Sequence, residues 1–351
     1  MQRNHIKSIF HIFFLAAPIL HTPAFSGDFI NPWEQSHDTK LRSELICPPV
    51  QYVSPNLSIN GGVYLKDGIT RDKDKDKEIS NLTRSIRESA TQAANLADEY
   101  QSTGDARAAY CAQKILLTLS QNKSLSGPIN GYQAYFVKTW MLSSLSASWL
   151  KVMSLNDTNR IDANLINSWL TELAGDIIMR FNRSRESNIK KGDTSIANMY
   201  YWAALAAINT AIATGNNEYF DWAIGVFRSG LDQADEDGFL PPELKRKALA
   251  QHYHVFALIP LILIADRAQI NGIDLYQYNN HALNRIVNAT IDSYFDPTLI
   301  EKKSGYKQRS VPRPYFGWLY NYSKKFPNEK YDAILSEYPE RRFLYIGGSP
   351  T

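Results

Sequence analysis

Cysteine is scarce in this chain: two in 351 residues. A scaffold stapled by dense disulfides is therefore excluded. No block of one charge stands out either, because 38 Lys and Arg face 35 Asp and Glu, a formal surplus of three. A nucleic-acid binder carries a basic block or a strong basic surplus, so no nucleic-acid partner is expected. Past the first 26 residues the apolar runs are short. The stretch from Leu258 to Ala265 reads as buried helix, and no stable membrane insertion is expected. Apolar and aromatic side chains are plentiful instead. Hydrophobic residues make up 44%, with 20 Tyr, 15 Phe and 7 Trp, which is too much for a disordered chain and enough for a large core.

The first residues have the layout of an export signal. Arg3 and Lys7 form a positive start, Ile9 to Leu20 is apolar, and Ala24-Phe25-Ser26 offers small residues at both positions read by a signal peptidase. Cleavage is expected after Ser26, into the periplasm or the medium. Losing Arg3 and Lys7 reduces 38 basic groups to 36, against 35 acidic, so the mature chain is nearly neutral. A polyanion would then be held by local cations rather than by the field of the whole molecule. In an oxidising compartment Cys47 and Cys111 either pair, tying the N-terminal arm to a helix, or remain two buried thiols. Two thiols without a nearby His pair fall short of a metal ligand set, so neither metal nor cofactor is expected.

From about Lys77 onward the apolar spacing is helical. Runs are predicted near residues 77–101, 106–119, 134–153, 162–181, 196–214, 218–233, 242–269, 281–294 and 314–323, separated by short breakers such as Gly104-Asp105 and Asp237-Gly238. Strand-like alternation is nearly missing. The expected architecture is all-α: antiparallel helical hairpins that curl into a partial toroid with a groove at its inner ends. Three segments are predicted: a signal at 1–26, an arm and possible lid at 27–76, and the helical domain at 77–351, as a monomer. The charged run Arg71 to Lys77 reads as solvated, mobile chain. If the arm is instead a lid, Tyr64 and Lys66 lie on its inner side. A second irregular segment, Glu301 to Tyr322, interleaves cations with aromatics. Arg313 there is a candidate for sugar carboxylates, beside aromatic faces suited to sugar rings.

The chemistry concentrates in two stretches. In Gly192 to Ala204, Asn198, Tyr201 and Trp202 stand near a helix start, where free N–H groups favour an anion. Asn198 either donates to a carboxylate or caps the helix. The second stretch is Asp237-Gly-Phe-Leu-Pro-Pro-Glu-Leu-Lys-Arg246, followed by Gln251-His-Tyr-His254. Tyr253 follows Arg246 by seven positions, close to two helical turns, which predicts a shared face. A guanidinium on its ring and His252 and His254 beside it predict a lowered phenol pKa, as acid/base work needs. A hydrolase would need two carboxylates across a groove, and Asp235, Glu236, Asp237 and Glu243 cluster near one turn instead.

Several segments together resemble the periplasmic alginate lyases of polysaccharide lyase family 5. They are Asn198-Met-Tyr-Tyr-Trp-Ala-Ala204, Phe220-Asp-Trp-Ala-Ile224, the Asp237–Arg246 stretch, Tyr253-His254 with Ala257-Leu258, Cys47-Pro48 with Cys111, Ala134–Leu150, Asn271-Gly-Ile-Asp274 and Phe343-Leu-Tyr-Ile-Gly-Gly348. The resemblance spans most of the mature chain. It implies an incomplete α/α toroid, no metal, and cleavage of a uronate polymer by β-elimination. It also implies that Asn198 and Arg246 neutralise the substrate carboxylate and that Tyr253 handles protons at C5 and at the departing 4-oxygen. One departure matters: the family has histidine directly after the asparagine, and this chain has Met199, whose thioether moves no proton. Either Tyr253 works without it, with His252 or His254 assisting, or the chain binds acidic polymer without cleaving it. The substrate expectation accordingly covers mannuronate polymers and glucuronate-containing exopolysaccharides.

Overall fold

The computed structural model describes residues 28–34, 46–155, 162–338 and 341–350. The expected signal peptide lies outside them. Thirteen α-helices carry the described architecture. They are α1 (Lys73–Leu82), α2 (Arg84–Thr103), α3 (Ala106–Gln121), α4 (Tyr132–Val152), α5 (Ala163–Ile189), α6 (Asn198–Thr214), α7 (Asn217–Leu231), α8 (Pro241–Leu244), α9 (Ala250–Ile270), α10 (Tyr278–Phe295), α11 (Thr298–Ser304), α12 (Leu319–Lys325) and α13 (Glu329–Ser336).

Local chemistry sets the boundaries. Asp72, Asp105, Asp162, Asn216 and Asn328 cap α1, α3, α5, α7 and α13 through side-chain oxygens that accept from first-turn N–H groups. Gly104 and Gly215 end α2 and α6 in the left-handed conformation. Short connections make consecutive helices antiparallel, so α2, α4, α6 and α9 run one way while α3, α5, α7 and α10 run back. The first set packs side by side as an inner row: α2 on α4, α4 on α6, α6 on α9. The second set covers it. The result is the α/α toroid expected from the sequence.

Of the inner row, α4, α6 and α9 are buried on nearly every side, while α2 keeps an exposed face. Helix α6 has buried residues at every position from Asn198 to Ala213, and α9 from Val255 to Ala265 without a break. Residues Lys247–Ile270 are long and apolar enough to cross a membrane, yet 83% of their apolar 18-residue window is buried inside the protein. It is a core helix, longer than the apolar run visible in the sequence.

The arm is more ordered than its composition suggests. Residues Leu57–Ser58 and Ile129–Asn130 form a two-stranded parallel ladder, β1 and β2, which brings the arm against the start of α4. Gly131 makes that approach possible: its φ is +87°, and a Cβ there would collide with the Ile59 carbonyl. Cys47 is disulfide-bonded to Cys111 in α3, with Cα atoms 5.1 Å apart. Closing a loop of 64 residues constrains the unfolded chain by about 4 kcal/mol. The charged run expected to be mobile is the first half of α1. Its like charges are spaced around the helix, Asp72 caps it, and Arg71 pairs with Asp76. The first helix therefore begins at Lys73, ahead of the helical spacing read from about Lys77.

Candidate active site

A cavity of about 520 Å³ opens at the N-terminal ends of the inner helices. Each inner helix contributes its first turns: Arg87 from α2, Gln133, Phe136 and Trp140 from α4, Asn198 and Met199 from α6, and His252, Tyr253 and Phe256 from α9. Four aligned N-termini add their partial positive charges at one place, which favours an anion. Arg71, Arg87 and Arg246 add full positive charges, and Asp76 is the sole carboxylate among the described lining residues. A larger, shallower cavity of about 1140 Å³ lies at the opposite ends of α2 and α9, and includes none of the residues singled out from the sequence.

Asn198, Arg246 and Tyr253 meet in this cavity. Asn198 is the first residue of α6 and does not cap it. Its backbone N–H donates to Glu243 at 2.7 Å, and its side-chain Nδ2 lies 3.1 Å from both Glu243 oxygens. Glu243 is fully buried, and Oε2 lies 3.8 Å from Arg246 Nε. Burial pushes the Glu243 carboxyl upward, opposed by Arg246 and by the Asn198 hydrogen bonds. One buried carboxyl thus holds both Asn198 and Arg246 at the cavity. The sequence alone offers Glu243 only as one of four clustered candidate acids for hydrolysis. The signal for its positioning role was its place three residues before Arg246, in a segment that Pro241 and Pro242 turn inward.

Arg246 lies over the Tyr253 ring, with the guanidinium carbon 4.6 Å from the centroid. The route differs from the expected continuous helix. α8 ends at Leu244, a 3₁₀ turn spans Lys247–Leu249, and α9 starts at Ala250. Lys247 has a φ of +57° at the break. The chain turn brings Arg246 onto the ring, rather than helical periodicity. The phenol pKa is also not lowered. Burial and the neighbouring Tyr64 raise it, and Arg246 opposes them only in part. Tyr253 therefore stands protonated at neutral pH.

The Tyr253 and Tyr64 hydroxyls are hydrogen-bonded at 3.0 Å. Tyr64 belongs to a hairpin, residues 63–72, tied by Leu65 N to Thr70 O and Asp72 N to Val63 O. Asp67 accepts from Ile69 N, Thr70 N and Thr70 Oγ1 at the tip, which holds its carboxyl at about 2. Lys247 Nζ donates to Asp67 O at 3.2 Å, and Arg309 Nη1 to Ile69 O at 3.1 Å. The hairpin tip is thus fastened by two neighbouring cations, Arg309 N itself donating to Ala248 O at 2.9 Å.

Other expected contacts are absent. Lys66 is exposed and does not line the cavity, because it stands in the turn at the hairpin tip, past the bridged residue Tyr64. Arg313 is likewise exposed outside the cavity, and from its segment Tyr315 reaches inward instead. Tyr201 and Trp202 are fully buried. Tyr201 donates to Ile196 O at 3.0 Å, and Trp202 packs on Phe256, Phe343 and Tyr345, because only the first two residues of α6 reach the opening. The aromatic lining that the sequence did not single out comes from Tyr132, Phe136, Trp140 and Tyr345. Trp140 and Tyr345 are stacked, with centroids 4.8 Å apart.

His254 does not line the cavity, and both its ring nitrogens are engaged by backbone groups. Leu240 N donates to its Nε2 at 2.9 Å, so Nδ1 carries the hydrogen and donates to Ala250 O at 2.8 Å. Its burial is complete and its pKa falls to about 4. His252 does line the cavity. The acidic cluster does not: Asp235 and Asp237 both pair with Lys303 away from it. No pair of carboxylates faces across the cavity among the described residues, which leaves hydrolysis without its acid and base.

An inner row of helices whose N-termini surround a cationic, aromatic-lined cavity is chemically suited to an anionic, ring-bearing ligand. A family model described as alginate lyase matches residues 26–299. The chain belongs to this family, polysaccharide lyase family 5, and is a polysaccharide lyase. It is 31% identical over 289 residues to an alginate lyase of Pseudomonas syringae pv. syringae, covering 80% of this chain and 72% of that one. A polysaccharide lyase of Stenotrophomonas maltophilia is 28% identical over 285 residues, covering 80% and 82%. Among solved structures, alginate lyase A1-III from Sphingomonas species A1 is similar in fold, with a TM-score of 0.65 at 20% identity, over 90% of this chain and 85% of that one. A variant of alginate lyase A1-III complexed with a tetrasaccharide aligns with a TM-score of 0.68 at 19% identity, covering 91% and 90%.

Proposed function

We propose that this lyase cleaves an acidic polymer of uronate residues by β-elimination, the substrate being polymannuronate (alginate) or a glucuronate-containing exopolysaccharide. The observation that carries this reading is the convergence of Asn198, Arg246 and Tyr253 in one cavity at four helix N-termini. A C–H next to a carboxylate is far too weakly acidic for water to remove at neutral pH. Positive charge and hydrogen bonds at the carboxylate stabilise the enolate-like species that forms when this proton leaves. Arg246 and Asn198, both braced by Glu243, supply them. Tyr253 is the acid/base residue. Because it stands protonated, its first competence is to donate to the departing 4-oxygen. Trp140, Tyr345 and Tyr315 offer faces to the sugar rings, and the 63–72 hairpin serves as a lid that brings Tyr64 to Tyr253.

The enzyme works outside the cytoplasm, in the periplasm or medium. The signal-like N-terminus and the Cys47–Cys111 bond, which persists in oxidising surroundings, support this. The test is a panel of uronate polymers followed by ultraviolet absorbance, since each elimination creates a C4–C5 double bond conjugated to the carboxylate. Wild type is expected to raise the absorbance on at least one polymer. Tyr253→Phe is expected to lower the rate about 10²–10⁴-fold with the fold intact. Binding of polymer by wild type without new unsaturation would favour the binding-only alternative that Met199 suggests.

A further inference from the structure

An elimination needs a base as well as an acid, and a phenol protonated at rest fills only one of these roles at the outset. Met199, beside Asn198, lines the cavity, and a thioether takes no proton. One imidazole lines the cavity among the described residues, that of His252.

Its setting differs sharply from that of His254 on the same helix. Both nitrogens of His254 are committed to backbone groups. His252 is mostly buried, yet none of the side-chain hydrogen bonds or ion pairs among the described residues involves its ring. Neither ring nitrogen is sealed from the cavity. The ring is held by packing alone: edge-on to Tyr253 at 5.0 Å, edge-on to Tyr315 at 5.1 Å, and roughly parallel to Phe256 at 6.4 Å. An oriented imidazole with open nitrogens, next in sequence to the phenol, has the arrangement of a base awaiting its substrate.

We propose that His252 is the catalytic base that removes the C5 proton, while Tyr253 protonates the leaving oxygen; this rests on the lyase reading above. In the step, an imidazole nitrogen of His252 takes the C5 proton. The freed electron pair forms the C4–C5 double bond, the C4–O4 bond breaks, and O4 takes the proton of Tyr253. The imidazolium then returns its proton to the neighbouring phenolate, directly or through water, and both residues are reset. Both rings line one cavity with centroids 5.0 Å apart, so in this scheme the proton and the leaving oxygen depart from the same face of the sugar. The charged and titratable groups facing His252 are Arg71 from the hairpin, Tyr315 from the 3₁₀ turn at Arg313–Phe316, and Tyr253 from its own helix. Burial and Arg71 push its pKa to about 4, which keeps the base neutral in the working range.

The experiment compares wild type, His252→Gln and His252→Ala on a polymer that wild type converts to unsaturated product, with and without added imidazole. The expected result is a fall in kcat of about 10²-fold or more for both variants, with KM within about threefold of wild type. Free imidazole is expected to restore activity to His252→Ala, in proportion to its free-base form, and to leave Tyr253→Phe unrescued. Wild-type kcat in His252→Gln would overturn the proposal and leave the lyase reading intact. A loss that imidazole does not restore would also overturn it, making the ring a packing element. If wild type forms no unsaturated product on any uronate polymer, the lyase reading falls and the base assignment with it.

Discussion

Glu243 shows how a single buried carboxyl can organise a site that it does not line. It accepts from the Asn198 backbone and side chain and lies beside Arg246. Glu243→Ala leaves a buried backbone N–H without a partner, which costs about 1–3 kcal/mol of stability. It is also expected to lower kcat/KM about 10–100-fold as Asn198 and Arg246 lose their common anchor. Glu243→Gln keeps an acceptor and is expected to retain more of both, as denaturant titration and steady-state rates would show. A Glu243→Ala enzyme with wild-type kcat/KM would contradict the positioning role. The histidines make a second prediction. His252 and His254 have folded-state pKa values of about 4, below the ordinary value near 6.5. Between these values the unfolded chain binds protons that the native state refuses. Stability is therefore full above pH 6.5, falls as the pH drops toward 4, and levels off below that for these two groups. Denaturant midpoints at pH 7 and pH 5 would reveal the slope, and His254→Gln, which still accepts from Leu240 N, should flatten part of it. At this scale the sequence was partly legible. Asn198, Arg246 and Tyr253 stood out through motif order, whereas Tyr201 and Trp202 misled. In a helix buried on every side, the apolar pattern does not say which residues reach an opening; that depends on where the helix begins. The phenol pKa was misjudged for a related reason, because desolvation by the surrounding core outweighs one partly exposed guanidinium.

The helical hairpins were readable because each is local. Capping Asp and Asn residues, αL glycines and apolar periodicity all lie within a few residues of the boundaries they set. The break between α8 and α9 was not readable, since neither glycine nor proline marks it and Lys247 adopts positive φ in their place. The arm was underestimated as well. Alternating charge resembles solvated coil, and it becomes helix here through the Asp72 cap and the Arg71–Asp76 pair. The hairpin at 63–72 depends on two outside donors, Lys247 and Arg309, that reach carbonyls at its tip. Replacing both with Ala is expected to free the hairpin and lower kcat/KM about tenfold, with kcat and KM changing together. Core stability should be unaffected, because both contacts are at the surface. Unchanged kinetics in the double variant would show that fastening the hairpin is not part of turnover.

Across the whole molecule, attraction for a polyanion is built locally into a nearly neutral protein. Arg71, Arg87 and Arg246 gather at the ends of four parallel helices while acids and bases elsewhere nearly balance. Such a field reaches only about 10 Å at 0.1 M salt. KM for a uronate polymer is therefore expected to rise with ionic strength while kcat changes little; a salt-independent KM would count against cation-led binding. The toroid brings Tyr253, Asn198, Arg246 and several aromatic faces to one mouth, and the chemistry proposed for it leaves a distinctive product. The most direct measurement is the ultraviolet absorbance of an acidic uronate polymer incubated with wild type and with Tyr253→Phe. A rise with wild type that is nearly lost in the variant is the predicted result. An equal rise with both proteins would remove Tyr253 from the centre of the chemistry, and new reducing ends without absorbance would replace elimination by hydrolysis.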